Sequence, residues 1–173
     1  YDDILNGYVR IIWTGGEPTI AGHQEAINNF TQYWMEKEGS LLKTFYEIET
    51  NGTNYIEEEL FQNIDQINCS PKLSNSGMTA KQRIVPDAIY RIMEHDNYQF
   101  KFVISTEDDV KELFRDFVEP FNIPLKNVVC MPGLDDVKDF GERTQFCLEM
   151  AKKYKFRGLT RLHIAAWNKT LNV

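Results

Sequence analysis

Hydrophobic positions along this chain follow two different periods, which alternate from one end to the other. Short apolar runs rich in β-branched and aromatic residues predict strands at 8–14, 44–50, 66–70, 98–105, 127–132 and 158–165. Apolar residues at helical spacing predict helices at 22–38, 55–64, 86–95, 106–118 and 135–154, and the polar stretch 71–82 predicts a loop. Strands that alternate with helices predict an α/β fold with parallel strands and right-handed crossovers.

The first predicted helix has an apolar side. Its spacing places Ile27, Phe30, Tyr33 and Trp34 together on that side.

The residues that follow the predicted strands include glycines and groups able to bind a small polar ligand. The first strand ends in Thr14-Gly15-Gly16-Glu17-Pro18, and later strands end at Glu49-Thr50, at Ser70-Pro71-Lys72, at Met131-Pro132-Gly133 and near His163. In parallel α/β proteins the functional loops lie at the carboxyl ends of the strands. Glu17 is suited to an ammonium group and Lys72 to a carboxylate, so together they fit the amino-acid end of a zwitterionic ligand. The other interpretation is that glycine and proline simply end the strands, and the residues alone leave the two balanced.

Size and composition bear on the number of domains, the kind of partner and the cellular compartment. With 173 residues, 42% hydrophobic residues and a net charge of −7, the chain is expected to form one domain over residues 1–173. It has no basic run, which argues against nucleic-acid binding, and no apolar stretch of bilayer length or signal-peptide pattern. Its three widely spaced cysteines favour a reducing compartment, and we expect a cytoplasmic protein.

The strand-end motifs, taken in order, resemble one enzyme family. "TGGEP" resembles the motif with which radical S-adenosylmethionine enzymes bind the methionyl amino group. "IETNGT", "CSPKL", "VCMPG" and the final "RLHIAAWNKTLNV" are similar to the 7-carboxy-7-deazaguanine synthase family, and the resemblance extends from about Tyr8 to Val173. The fold that it implies is an open, partial (β/α) barrel of parallel strands of the radical S-adenosylmethionine type, without its N-terminal unit.

The resemblance implies a radical lyase of queuosine and related deazapurine biosynthesis. The family converts 6-carboxy-5,6,7,8-tetrahydropterin to 7-carboxy-7-deazaguanine with loss of ammonia, using S-adenosylmethionine, a [4Fe-4S] cluster and Mg²⁺. The implied partners are the pterin substrate, an electron donor such as a flavodoxin and a second copy in a homodimer, with neither nucleic acid nor membrane.

The resemblance also implies roles for individual residues, although it leaves the catalytic residue unassigned. It implies substrate contacts for Thr14, His163 and the terminal carboxylate of Val173. The residues for which it implies contacts with S-adenosylmethionine are Gly15, Gly16, Glu17, Glu49, Thr50, Ser70, Pro71, Lys72, Met131, Pro132, Gly133 and Leu134.

The sequence departs from the family in one respect. The family's three cluster-binding cysteines precede the "TGGEP" strand, and Cys69, Cys130 and Cys147 do not replace them. We therefore expect no metal ligand in this chain, cluster and Mg²⁺ sites upstream of it, and a longer enzyme of which it is the C-terminal part. Two alternatives stay open: a radical enzyme similar to glycyl-radical activases, and a module without a cluster that binds S-adenosylmethionine or a partner.

Overall fold

A computed structural model describes residues 10–37, 44–134 and 136–168 of the chain. Its strands are β1 Arg10–Trp13, β2 Phe45–Thr50, β3 Gln66–Cys69, β4 Tyr98–Ile104, β5 Val128–Pro132 and β6 Arg157–Gly158. Its α-helices are α1 Ala21–Lys37, α2 Glu58–Gln62, α3 Ala80–Arg83, α4 Pro86–Met93, α5 Glu107–Leu113, α6 Glu119–Phe121, α7 Phe140–Tyr154 and α8 Leu162–Trp167. The 3₁₀ turns are Ser74–Ser76, Leu125–Asn127 and Val137–Asp139, and the π-helical segment Phe114–Val118 joins α5 to α6.

The chain divides into two compact units. Unit one comprises Tyr1–Ser70 and Val85–Tyr98, and unit two comprises Pro71–Ile84 and Gln99–Val173. The expectation of a single domain over residues 1–173 stays a prediction.

Unit one has parallel strands covered by amphipathic helices. Strand β1 pairs with β2 in the register Trp13↔Ile48, and β2 pairs with β3 in the register Thr50↔Cys69. Its core contains fully buried aliphatic side chains from two strands (β2 and β3), from two helices (α2 and α4) and from the loop that precedes α2. They are Ile48, Ile56, Leu60, Ile67, Ile89 and Ile92. This parallel pairing aligns the carboxyl ends of the three strands.

Helix α1 buries only part of its apolar side. Ile27 and Trp34 are buried, whereas Phe30 and Tyr33 are 40% and 57% exposed, although the Phe30 ring lies against Trp13 of β1 with ring centroids 5.2 Å apart. Polar Gln24 is buried among the apolar residues, because its side chain has backbone partners. Its amide donates to the carbonyl oxygens of Thr19 at 2.6 Å and Tyr55 at 2.8 Å, and its own oxygen accepts from the Glu57 amide at 2.9 Å. Hydrogen bonds therefore decide which face is buried.

Unit two has the same parallel strand pairing. Strand β4 pairs with β5 in the register Ile104↔Pro132, and β5 pairs with the short β6 in the register Cys130↔Gly158. Phe102 and Phe117 are fully buried, with ring centroids 5.3 Å apart. The predicted α/β class with parallel strands is thus present in each unit.

Two predictions of secondary structure are wrong in unit two. The expected loop 71–82 contains the turn Ser74–Ser76 and most of α3. Helix α3 forms because Thr79 and Gln82 make a capping box, in which Gln82 Oε1 accepts from the Thr79 amide and hydroxyl at 2.9 and 2.8 Å. The expected strand 158–165 ends at Gly158, because β6 pairs with β5 only at Arg157 and Gly158, and helix α8 begins at Leu162.

Among the described residues, we find no helix with the length and apolarity needed to cross a membrane.

Candidate functional site

The loop after β1 requires glycine at two consecutive positions. Gly15 and Gly16 have φ angles of +83° and +56°, in the left-handed region that residues with a Cβ atom rarely adopt. No atom lies within 4 Å of the place that a Cβ atom would occupy at either residue, so the backbone angle and not crowding demands glycine. The loop therefore leaves its backbone groups exposed to a ligand.

The carboxylate of Glu17 is the most highly connected polar group of this loop. Its Oε1 accepts hydrogen bonds from the Thr19 amide at 3.1 Å, from the Thr19 hydroxyl at 2.5 Å and from the Thr50 hydroxyl at 2.7 Å. Its Oε2 accepts from the Asn51 amide at 2.8 Å. The carboxylate thus joins the loop after β1 to the loop after β2.

Further hydrogen bonds hold the ends of the three strands of unit one together. The Thr14 hydroxyl donates to Glu49 Oε2 at 3.3 Å, and the Ser70 amide donates to the Thr50 carbonyl at 2.7 Å. Unit one therefore brings together seven of the predicted site residues: Thr14, Gly15, Gly16, Glu17, Glu49, Thr50 and Ser70.

In unit two, the residues after β3 differ in exposure. Pro71 is buried, and Lys72 is exposed, without an ion pair or side-chain hydrogen bond to the described residues. The ammonium group of Lys72 is therefore available to an anionic ligand.

The end of β5 approaches the end of β4 closely. The Gly133 amide donates a 2.8 Å hydrogen bond to the Ile104 carbonyl, and a Cβ atom at residue 133 would lie 2.0 Å from Ser105 Oγ. Glycine at this position thus allows the two strand ends to approach, while Met131 and Pro132 are the last residues of β5.

A cleft of about 420 Å³ opens beside these strand ends in unit two. Its lining includes Gly133 and Leu134 from the predicted site, together with Ser105, Arg143 and Arg161. Each arginine makes one long hydrogen bond to a strand-end carbonyl, Arg143 to Ser105 and Arg161 to Leu134, both at 3.4 Å. Sequence reasoning missed both arginines as site residues, because Arg143 lies inside the helix predicted at 135–154 and Arg161, although it begins the final "RLHIAAWNKTLNV" motif, receives no role from the resemblance.

Asp109 also lines this cleft, but its carboxylate stabilises the start of α5. It accepts from the amides of Ser105 at 2.8 Å and Thr106 at 2.9 Å, and from the Asn75 side chain at 3.1 Å. This is helix capping, which the acidic residues after Thr106 indicate in the sequence.

The two predicted substrate contacts near the C-terminus, His163 and Val173, stay predictions. His163 is exposed on helix α8 instead of lying on the expected strand, and the lining of the unit-two cleft does not include it. Val173 lies outside the described residues.

The cysteine thiols are buried and unsuited to binding metal. Burial raises the pKa of Cys69 well above its ordinary value, with a further contribution from the charge of Glu17. Burial likewise raises the pKa of Cys130, and it raises the pKa of Cys147 to about 11. Within the described ranges, no group of three or more His, Cys, Asp or Glu side chains is arranged to hold a metal ion. These cysteines therefore do not fit an iron–sulfur cluster.

A curated protein with a similar sequence is 7-carboxy-7-deazaguanine synthase from Pyrobaculum aerophilum. The two sequences are 33% identical over 160 residues, which cover 91% of this chain. The chain spans 65% of the length of that relative. No protein-family model matches the chain.

Two solved structures have a similar fold. The crystal structure of QueE from Escherichia coli matches 88% of this chain with a TM-score of 0.55 and 18% identity, and 56% of its own chain is covered. The crystal structure of SuiB from Streptococcus suis bound to S-adenosylmethionine matches 95% of this chain with a TM-score of 0.53 and 17% identity, and 40% of its own chain is covered. Together with the parallel pairing in each unit, these likenesses confirm the predicted fold class.

Proposed function

Since this chain is a homologue of a 7-carboxy-7-deazaguanine synthase, we propose that it binds S-adenosylmethionine in a radical enzyme that makes 7-carboxy-7-deazaguanine. The reaction would convert 6-carboxy-5,6,7,8-tetrahydropterin to that product with loss of ammonia, as a carbon–nitrogen lyase with ring contraction. The observation that carries the proposal is the 33% identity over 91% of the chain.

The residues of unit one fit the amino end of S-adenosylmethionine. A carboxylate has about four lone-pair sites, and Glu17 Oε2 accepts only one hydrogen bond from the described residues, so it can accept another from an ammonium group. The exposed backbone of Gly15 and Gly16 lies beside it in sequence and admits a ligand closely. We assign Glu49, Thr50 and Ser70 to the same group of residues.

In unit two, we assign Lys72 to the carboxylate of the cofactor. Its exposed ammonium can form a charge-assisted hydrogen bond, which is stronger than a neutral one. We assign Pro71 to the same tripeptide, and Met131, Pro132, Gly133 and Leu134 to the adenosine.

When bound, S-adenosylmethionine would supply the radical chemistry of the reaction. The task of this chain is to orient the cofactor and keep water away from it. Thr14, His163 and the carboxylate of Val173 are assigned to the pterin. The [4Fe-4S] cluster and Mg²⁺ are assigned to no described residue.

The remaining expectations belong to the same proposal. They are an external electron donor such as a flavodoxin, a homodimer and a cytoplasmic location.

The test is an anaerobic assay of the natural protein after reconstitution with iron and sulfide. We expect conversion of 6-carboxy-5,6,7,8-tetrahydropterin to 7-carboxy-7-deazaguanine, detected by mass spectrometry, that depends on S-adenosylmethionine and a reductant. Lys72→Ala should lower the activity, and Lys81→Ala, which changes another exposed lysine of unit two, should not.

Two other results would argue against the proposal. Binding of S-adenosylmethionine without iron or product would favour the module that lacks a cluster. A reconstituted protein that contains iron, cleaves the cofactor and leaves the pterin unchanged would favour a different radical enzyme.

A further inference from the structure

We propose that Thr19 and Thr50 are positioning residues that hold Glu17 so that only its Oε2 atom can accept the cofactor's ammonium group. The inference rests on the proposed function. It gives Thr19 a role that the sequence does not indicate, and it makes Thr50 act through Glu17.

Glu17 Oε1 has no acceptor capacity left. A carboxylate oxygen has two lone pairs, and Oε1 already accepts from the Thr19 amide and from the hydroxyls of Thr19 and Thr50, at 3.1, 2.5 and 2.7 Å. The two hydroxyl oxygens lie 3.2 Å from each other. Each hydroxyl has a single hydrogen, and both oxygens lie closer to the charged Oε1 than to each other, so we assign both hydrogens to Oε1.

Glu17 Oε2, by contrast, keeps an open acceptor position. Among the described residues it accepts one hydrogen bond, from the Asn51 amide at 2.8 Å. One lone pair is therefore left on this oxygen, and an ammonium group can bind Glu17 at this atom alone.

The two threonines are themselves fixed in place. Thr19 and Thr50 are 1% and 3% exposed, so their hydroxyls cannot exchange Glu17 for bulk water. Thr50 Oγ1 also accepts from the Gly52 amide at 3.1 Å, which orients it. A threonine side chain is stiff at χ1, and each hydroxyl therefore acts as a preformed donor for the carboxylate.

This arrangement makes a prediction that separates hydrogen bonding from shape. Valine keeps the β-branched shape of threonine but has no O–H donor, whereas serine keeps the donor and loses a methyl group. If the hydroxyls position Glu17, the valine variants should lose affinity for the cofactor and the serine variants should keep most of it.

The experiment is calorimetric titration of the purified protein with S-adenosylmethionine and with 5′-methylthioadenosine, which lacks the amino-acid end. We expect Thr19→Val and Thr50→Val each to weaken binding of S-adenosylmethionine about tenfold, as for loss of a hydrogen bond to a charged group. Binding of 5′-methylthioadenosine should be unchanged, and Thr19→Ser should resemble the wild type. In a Glu17→Gln background, Thr19→Val should cause no further loss, because its effect passes through that carboxylate.

Several results would overturn the inference. One is unchanged affinity of both valine variants for S-adenosylmethionine, and another is an equal loss for 5′-methylthioadenosine, which would indicate a general structural effect. A full tenfold loss from Thr19→Val in the Glu17→Gln background would also overturn it. A wild-type protein that binds neither ligand would instead refute the proposed function, on which this inference rests. Melting temperatures of all variants identify any that fail to fold. If Thr19→Val does not fold, Thr50→Val replaces it in the double-mutant cycle with Glu17→Gln.

Discussion

The Asn51 amide donates a 2.8 Å hydrogen bond to Glu17 Oε2, across 34 positions of sequence. This bond fixes the loop after β2 to the loop after β1, and its acceptor is the residue that we assign to the cofactor's amino group. Glu17 therefore has a structural role as well as its proposed binding role.

The structural role predicts a loss of stability in Glu17→Gln. The NH2 group of glutamine would face one of the N–H or O–H groups that now donate to the carboxylate. That donor would lose its acceptor, and a buried polar group without a partner costs about 1–3 kcal/mol. We expect the free energy of unfolding in urea to fall by about this amount. Glu25→Gln is the matched control, because Glu25 is exposed on α1, and a surface change of this kind should alter stability by less than about 0.5 kcal/mol. Equal stability of the two variants would contradict the structural role.

Lys72→Ala should affect binding and leave stability unchanged. Lys72 is exposed and has no ion pair with the described residues, so its removal exposes no buried charge. Loss of a charge-assisted hydrogen bond should weaken binding of S-adenosylmethionine by about 1.5–3 kcal/mol, measured by calorimetry. Lys81→Ala removes the same charge from α3 and should bind as the wild type does. Unchanged affinity of Lys72→Ala would remove Lys72 from the site.

Gly52→Ala should destabilise the protein for two reasons. Gly52 has a φ angle of +74°, and a Cβ atom there would lie 2.6 Å from Cys69 Sγ. The left-handed angle should cost about 1–2 kcal/mol, and the crowding about 1–3 kcal/mol more. Gly77→Ala separates the cost of the backbone angle from the cost of crowding, because Gly77 has a φ angle of +80° with no atom within 4 Å of the Cβ position. Urea unfolding should show the larger loss for Gly52→Ala, and equal losses would mean that Cys69 moves aside freely.

Asp116 should make stability depend on pH in the acid range. Burial raises the pKa of Asp116, but hydrogen bonds from Arg115 and Arg83 outweigh that effect and lower the pKa below its ordinary value. Since the pKa is lower in the folded state, the stabilisation is complete above the unfolded pKa of about 3.9. It is lost as the pH falls through the folded pKa.

Asp116→Asn should lower stability at pH 7 and flatten the loss of stability below about pH 4. The loss at pH 7 arises because Arg83, whose side chain is 4% exposed, would keep only its 2.9 Å ion pair with Glu112. Asp108→Asn is the control, because the Asp108 side chain is 86% exposed and its pair with Lys111 should contribute little. Urea unfolding between pH 3 and 7 measures the stability of both variants. Parallel curves of unfolding free energy against pH for the wild type and Asp116→Asn would contradict the lowered pKa of Asp116.

The cysteines should not react in the native protein. Thiol reagents attack the thiolate, and burial raises the pKa of Cys69, Cys130 and Cys147, the last to about 11. With 5,5′-dithiobis(2-nitrobenzoate) near neutral pH, we expect no rapid reaction when the protein is folded and reaction of all three thiols in denaturant. A thiol that reacts quickly in the folded protein would show that at least one of these residues is accessible.

Much of the candidate site in unit one could be predicted from the sequence. Gly15, Gly16, Glu17, Thr50 and Ser70 are predicted because each stands at or just after the end of a strand, and parallel strands place their carboxyl ends at one edge. The same rule did not identify Thr19, which follows a proline and lies outside any strand. Its importance arises only because its hydroxyl and that of Thr50 reach the same oxygen.

The sequence by itself determined the α/β class, the position of most strands and the glycines of the first loop. Periodicity and backbone angles are local properties, so a linear sequence carries them. The tertiary structure alone decided the buried face of α1 and the convergence of two threonines, 31 positions apart, on Glu17. It also decided that His163 lies on a helix. These features depend on hydrogen bonds and packing between segments distant in sequence, or on how far a short strand continues to pair, and no local pattern specifies them.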